Sequence, residues 1–166
     1  MLFNMEKKKS NKCILLLAVI AALSLLVMAW ALVIYPAKQA KFTPPPFEAN
    51  AQKGVPEVSA DLSWDVVDAK AFRAGICKNI VPDADGRAAV YLTNPADSGV
   101  WLKLRVLDEA GNILGETGLL RPNEYVTHIQ LTAPIPNNTI LLCKLMAYEP
   151  ATYHSAGAAT LRMTTP

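Results

Sequence analysis

The sequence predicts a mainly β protein: an immunoglobulin-like antiparallel β-sandwich of about seven strands, preceded by a single transmembrane α-helix. Three observations predict it. Residues 13–35 form one apolar run without a charge. After residue 70, short runs alternate apolar and polar side chains with period two, and turn residues separate them every 8–14 positions. No long helical period intervenes among those runs, which argues for a sandwich or barrel rather than a parallel sheet layered with helices.

Composition bounds the rest. A chain of 166 residues has room for one ordinary domain and an appendage. At 52% apolar and 18% charged, with mean hydropathy +0.22, it is too apolar to be disordered. Twelve prolines without a glycine period exclude collagen, and three cysteines exclude a dense disulfide framework. The net charge of +2 conceals an asymmetry. Residues 1–41 carry six Lys and one Glu, whereas residues 42–166 carry ten Lys or Arg against thirteen Asp or Glu. An acidic body behind a basic head argues against nucleic acid as a partner.

Residues 1–12 are a basic tail and 13–35 the expected membrane helix. The 23 residues from Cys13 to Tyr35 would span roughly 35 Å as a helix, enough to cross a hydrocarbon core of about 30 Å. Cys13 stands at the near membrane edge. Trp30 and Tyr35 suit the far interface, and Pro36 ends the helix. Lys7, Lys8, Lys9 and Lys12 precede the run, and only Lys38 and Lys41 follow it closely. This bias puts the N-terminus in the cytoplasm and the body outside, in a single-pass plasma-membrane topology. A cleaved signal peptide is the competing reading. Ala29-Trp30-Ala31 has the right form for a cleavage site, but the apolar run continues past it and is too long, so an uncleaved anchor is expected.

Residues 36–60 hold Pro36, Pro44, Pro45, Pro46 and Pro56 and read as an extended, semi-rigid spacer outside the cytoplasm. The body, 61–166, follows. Within Asp61–Lys70, Leu62, Trp64 and Val66 alternate like a first strand, although Asp61 could cap a short helix. Strands are expected over Phe72–Val81, Arg87–Thr93, Val100–Leu107, Ile113–Thr117, Glu124–Leu131, Thr139–Tyr148 and Ala158–Thr164. Val100, Leu102, Leu104 and Val106 point to the core while Trp101, Lys103 and Arg105 point away. Leu141, Cys143, Leu145 and Ala147 likewise face inward, as do Leu161 and Met163 with Arg162 outward.

Val90-Tyr91-Leu92-Thr93-Asn94-Pro95, Trp101-Leu102-Lys103-Leu104-Arg105-Val106 and the stretch from Gly115 to Val126 resemble a group of small membrane-anchored proteins of Gram-positive bacteria. Ala147-Tyr148-Glu149-Pro150 and Tyr153-His154-Ser155-Ala156-Gly157 extend the likeness. Members share a basic start, one membrane helix, a Pro-rich spacer and one extracytoplasmic immunoglobulin-like domain. The resemblance implies a cell-envelope location, and it implies neither an activity nor any site residue.

The search for chemistry returns little. Cys77 and Cys143 would lie outside the cytoplasm, where a disulfide can form, but the period-two phase turns Cys143 inward and Cys77 away from the core side. His128, His154, Cys77 and Cys143 are scattered, with no C-x-x-C or H-x-x-x-H spacing, so no metal and no cofactor is expected. There is no G-x-S-x-G elbow and no phosphate-binding glycine loop. Asp83, Asp85, Asp108 and Glu109 sit in turn sequences, where carboxylates serve the backbone. The expectation is a non-enzyme. Trp101 could form half of a binding patch or pack under a neighbouring loop, and Tyr153 and His154 lie in the long loop joining the last two strands. The expected partners are the lipid bilayer and an envelope protein, with wall glycan on Trp101, Tyr91 and Tyr153 as the alternative.

Overall fold

The computed structural model describes residues 3–34 and 42–166, with side chains over 14–31 and 42–166. The chain divides into two compact units, Met1–Thr43 and Pro44–Pro166.

In the first unit, α1 spans Phe3–Ile34. Its 32 residues rise about 48 Å. The helix takes in the sequence expected as a separate basic tail. Nothing between Phe3 and Cys13 breaks it, and Met, Glu and Lys are all good helix formers. Residues Ile14–Ala31 have mean hydropathy 2.7, and none of that stretch is buried against protein. Leu15, Leu17, Leu26 and Trp30 are each at least 60% exposed, so apolar side chains cover the whole circumference and not one stripe. The Ser24 hydroxyl donates to the Ala21 carbonyl at 2.8 Å, which satisfies the one polar side chain of the stretch within the helix. Tyr35, and the side chains of Lys7, Lys8, Lys9, Lys12 and Cys13, lie outside the described residues.

The second unit is an antiparallel β-sandwich. Its strands are β1 (Gln52–Lys53), β2 (Trp64–Ala69), β3 (Phe72–Cys77), β4 (Val81–Pro82), β5 (Arg87–Asn94), β6 (Trp101–Leu107), β7 (Ile113–Glu116), β8 (Glu124–Gln130), β9 (Ile140–Tyr148) and β10 (Ser155–Thr164). One sheet runs β1-β8-β5-β3-β2, with β4 also on β5; the other runs β10-β9-β6-β7. The ambiguous start resolves into both alternatives in turn: a 3-10 turn at Ala60–Leu62, then strand β2. The expected strand Phe72–Val81 breaks after Cys77 and resumes as the two-residue β4.

The core lies between the sheets. Ile76, Val90 and Leu92 from one sheet, with Ile80 from the link between β3 and β4, meet Leu102, Leu104, Val106, Leu141 and Leu145 from the other, all fully buried. Period-two patterning predicted the inward faces of Leu102, Leu104, Val106, Leu141 and Leu145, because a side chain on a half-buried strand goes to water or to the core by its parity. Asn94 locks one corner. Its fully buried amide donates to the Val100 carbonyl at 2.9 Å and the Leu120 carbonyl at 3.0 Å.

The Pro-rich segment differs from its expected role. From Pro44 onward it belongs to the sandwich, and its backbone is hydrogen-bonded into it. Leu119 N–H donates to the Pro46 carbonyl, and Glu48 N–H to the Leu119 carbonyl, both at 2.9 Å. Phe47 forms a parallel bridge with Leu119, and Gln52 and Lys53 pair with Tyr125 and Glu124. The prolines fit an outermost strap, since proline has no N–H to offer a ladder but its carbonyl still accepts.

Candidate functional site

The strap creates a cluster that none of its residues makes alone. Phe47 lies edge-on to Trp101, with centroids 4.9 Å apart and planes at 77°. Trp101 in turn meets Tyr153 at 5.0 Å and 62°. The Arg121 guanidinium sits 3.6 Å above the Phe47 ring, a cation–π contact. Gly118 makes the close approach feasible: a Cβ there would stand 2.5 Å from the Glu48 nitrogen. The Gly118 N–H donates to a Glu48 carboxylate oxygen at 2.7 Å. Tyr153 is presented at φ 58° by a loop closed on itself, with Glu149 N–H on the His154 carbonyl at 2.8 Å and Tyr153 N–H on the Glu149 carbonyl at 3.0 Å.

The structure therefore brings Trp101 and Tyr153 together, while His154 is exposed. Phe47 and Arg121 complete the group, and sequence reasoning missed both because Phe47 was assigned to a spacer. The rings meet edge to face and share no plane, whereas a sugar-stacking row needs coplanar faces. Trp101 is a strut between strap and loop.

Beneath it on the same outer face, Lys103 and Arg105 each reach Glu116 at 2.9 Å. Burial alone would raise the Glu116 pKa. Hydrogen bonds and charge from Lys103 and Arg105 outweigh it and hold the carboxyl below its ordinary range. Lys103 is predicted to point to water; its parity is outward, yet it is only 6% exposed.

On the outer face of the other sheet, Trp64 lies flat across Gly75, where a Cβ would come within 2.1 Å of the indole ring. Its Nε1–H donates to the Tyr91 carbonyl at 3.1 Å. Tyr91 has φ 45°, uncommon for a bulky residue, and stands at the irregularity in β5–β8 pairing between Ala89 and Leu92. That bulge turns the carbonyl out of the ladder and toward the indole. Tyr91 and His128 are 6.1 Å apart and tilted by 50°, so here too the rings are not coplanar.

No disulfide joins Cys77 and Cys143, the possible pair that their period-two phase argued against: both are free and both buried. Cys143 faces the intersheet core. Cys77 pairs in register with Trp64, on the opposite face of its strand from the core-facing Ile76. Cys143 points into the core from one sheet and Cys77 out of the far face of the other, so the two side chains do not converge as a disulfide requires. Burial pushes the Cys77 thiol to about 11, helped by Asp61, and the Cys143 thiol to about 12.

The carboxylates of the turns serve the chain locally. Asp83 accepts from the Asp85 and Arg87 amides at 2.9 and 2.8 Å, and the Arg87 backbone hydrogen bond is the largest influence holding its pKa down. Asp108 is held low first by the Asn112 side chain and then by its amide, both at 2.7 Å. Among the described residues, no three His, Cys, Asp or Glu side chains cluster as metal ligands would. No protein-family model matches the chain, and no curated protein is significantly similar to it.

Proposed function

We propose that this chain is a non-catalytic, single-pass membrane protein that presents an immunoglobulin-like sandwich outside the cytoplasm as an interaction module. Its setting would be the bacterial cell envelope, as an accessory or structural component with a protein partner. The observation that carries this reading is the stretch Ile14–Ala31, apolar and exposed on every side of its helix among the described residues. A helix with no polar face has a bilayer as its natural solvent. The lysines at positions 7, 8, 9 and 12 favour a cytoplasmic N-terminus.

Strand order supports the immunoglobulin-like assignment. Such sandwiches set strands A, B and E in one sheet against C, F and G in the other. Here β3, β5 and β8 are neighbours in one sheet and β6, β9 and β10 in the other, with β7 beside β6 in the place of C′. Those seven strands carry the fold; β2 adds a hairpin strand outside A, and β1 occupies the place of D. The interaction role rests on the polar groups themselves. Many of the body's charges are engaged in ion pairs (Arg73 with Asp97, Lys78 with Asp65, Arg162 with Glu109), and among the described residues they do not converge on a reacting centre.

Alkaline carbonate extraction of cells expressing the full chain tests the anchor. The reading expects protein of full mass in the membrane pellet. Protein in the medium, shortened past Ala31, would replace it with a released factor.

A further inference from the structure

β10 is the outer strand of its sheet, paired with β9 on one side and, among the described residues, with no strand on the other. Along its ten residues every second backbone unit turns its N–H and C=O toward that open side. Such an edge takes up another strand unless its sequence prevents it. The other edges are guarded. β2 is six residues long and exposes Asp65 and Asp68. β7 has four residues, and Gly115 is already bridged to Leu131. β1 has two. β10 has no proline, lysine or acidic residue, and its single charge, Arg162, lies 2.6 Å from Glu109. Its irregularity is confined to the start, between Ser155 and Gly157, and Ala158–Thr164 stay in unbroken register with β9. The far end is fixed, with Thr165 N–H on the Thr139 carbonyl at 3.0 Å.

We propose that β10 is a self-association edge, pairing antiparallel with β10 of a second copy about a two-fold axis at Thr160. This deepens the interaction-module reading by naming its surface and one partner. The register is chosen by length and charge. Centred on Thr160, the overlap runs from Ala156 to Thr164 and leaves the bulge at its ends. Thr160 then faces Thr160, Ala159 faces Leu161, and Arg162 faces Ala158. A Thr–Thr cross-strand pair is favourable, and no like charges meet. An axis at Arg162 would set guanidinium against guanidinium. The pairing joins two four-stranded sheets into one continuous sheet, and an isologous two-fold contact of this type closes on itself without forming fibres.

Cysteine cross-linking of the full chain in membranes tests the register, with Cys13 replaced by Ser and copper phenanthroline as oxidant. Across the axis, Thr160→Cys sets two Cα atoms about 4.5–5.5 Å apart, within disulfide reach. Thr164→Cys, on the same edge, places them roughly 27 Å apart. The proposal expects at least tenfold more covalent dimer from Thr160→Cys than from Thr164→Cys or from the exposed β2 control Val66→Cys. It also expects Thr160→Lys, which opposes two ammonium groups at an exposed position, to convert the detergent-solubilised chain from dimer to monomer. Equal cross-linking at 160 and 164, or a monomeric parent chain, overturns it; β10 occupied by a different extended peptide in a monomeric chain does so as well. Recovery of the chain in the membrane pellet is scored separately. A cross-linking soluble chain would sink the anchor and keep the edge, and a monomeric membrane-bound chain the reverse.

Discussion

Glu116 joins two cations, and its pH response follows from that geometry. Because the folded pKa lies below the ordinary value of 4.5, ionised Glu116 stabilises the fold at pH above that value. The contribution is lost as pH falls through the depressed folded value. Glu116→Gln should therefore flatten the acid side of the stability profile below about pH 4.5, read as the urea midpoint of the detergent-solubilised chain against pH. An unchanged acid slope would contradict the assignment. Gly75 is a second residue-scale constraint. Gly75→Ala drives a methyl into the Trp64 ring and should break the Nε1–H bond to Tyr91, at a cost of about 1–3 kcal/mol and with a shift in tryptophan emission. The cysteines make the third case. Neutral and enclosed at pH 8, Cys77 and Cys143 should resist alkylation in the native protein and react together once it is unfolded. Intact mass reads both states, and an unfolded, unreduced protein in which Cys77 and Cys143 still resist alkylation would show a disulfide between them.

At the scale of elements, the strand runs were legible because a half-buried sheet imposes parity on its sequence, and Val100–Leu107 and Thr139–Tyr148 obey it closely. The strap was not legible. A Pro-Pro-Pro run has the same local preference whether it hangs in solvent or lies along an edge, and only the distant Leu119 and Gly118 decide between them. Trp101 was visible as an outward aromatic, but its neighbours Phe47 and Tyr153 lie far away in sequence, and a period-two reading carries no information about such pairs. Lys103 failed for the same reason: parity gives the face, not what covers it. If Trp101 is the strut between strap and loop, Trp101→Ala should cost about 2 kcal/mol and raise hydrogen exchange together at Glu48, Leu119 and Tyr153. Exchange that rises at one of the two segments alone would contradict the strut.

For the whole molecule, the first thirty-odd residues and the sandwich obey different solvents. The helix exposes Leu and Ile on every side, whereas the body buries its Leu and Ile between two sheets and faces water with paired charges. One chain satisfies both only where a bilayer and an aqueous compartment adjoin, which is the physical basis of the tethered-module proposal. The side on which the body stands is the most direct test. Val55 is 72% exposed on the sandwich and the two native body cysteines are buried, so Val55→Cys in a Cys13→Ser background offers one reactive thiol. With a membrane-impermeant maleimide on intact cells, the account predicts labelling of full-length, membrane-bound protein to the same extent as after permeabilisation. Labelling that appears only after permeabilisation would contradict it.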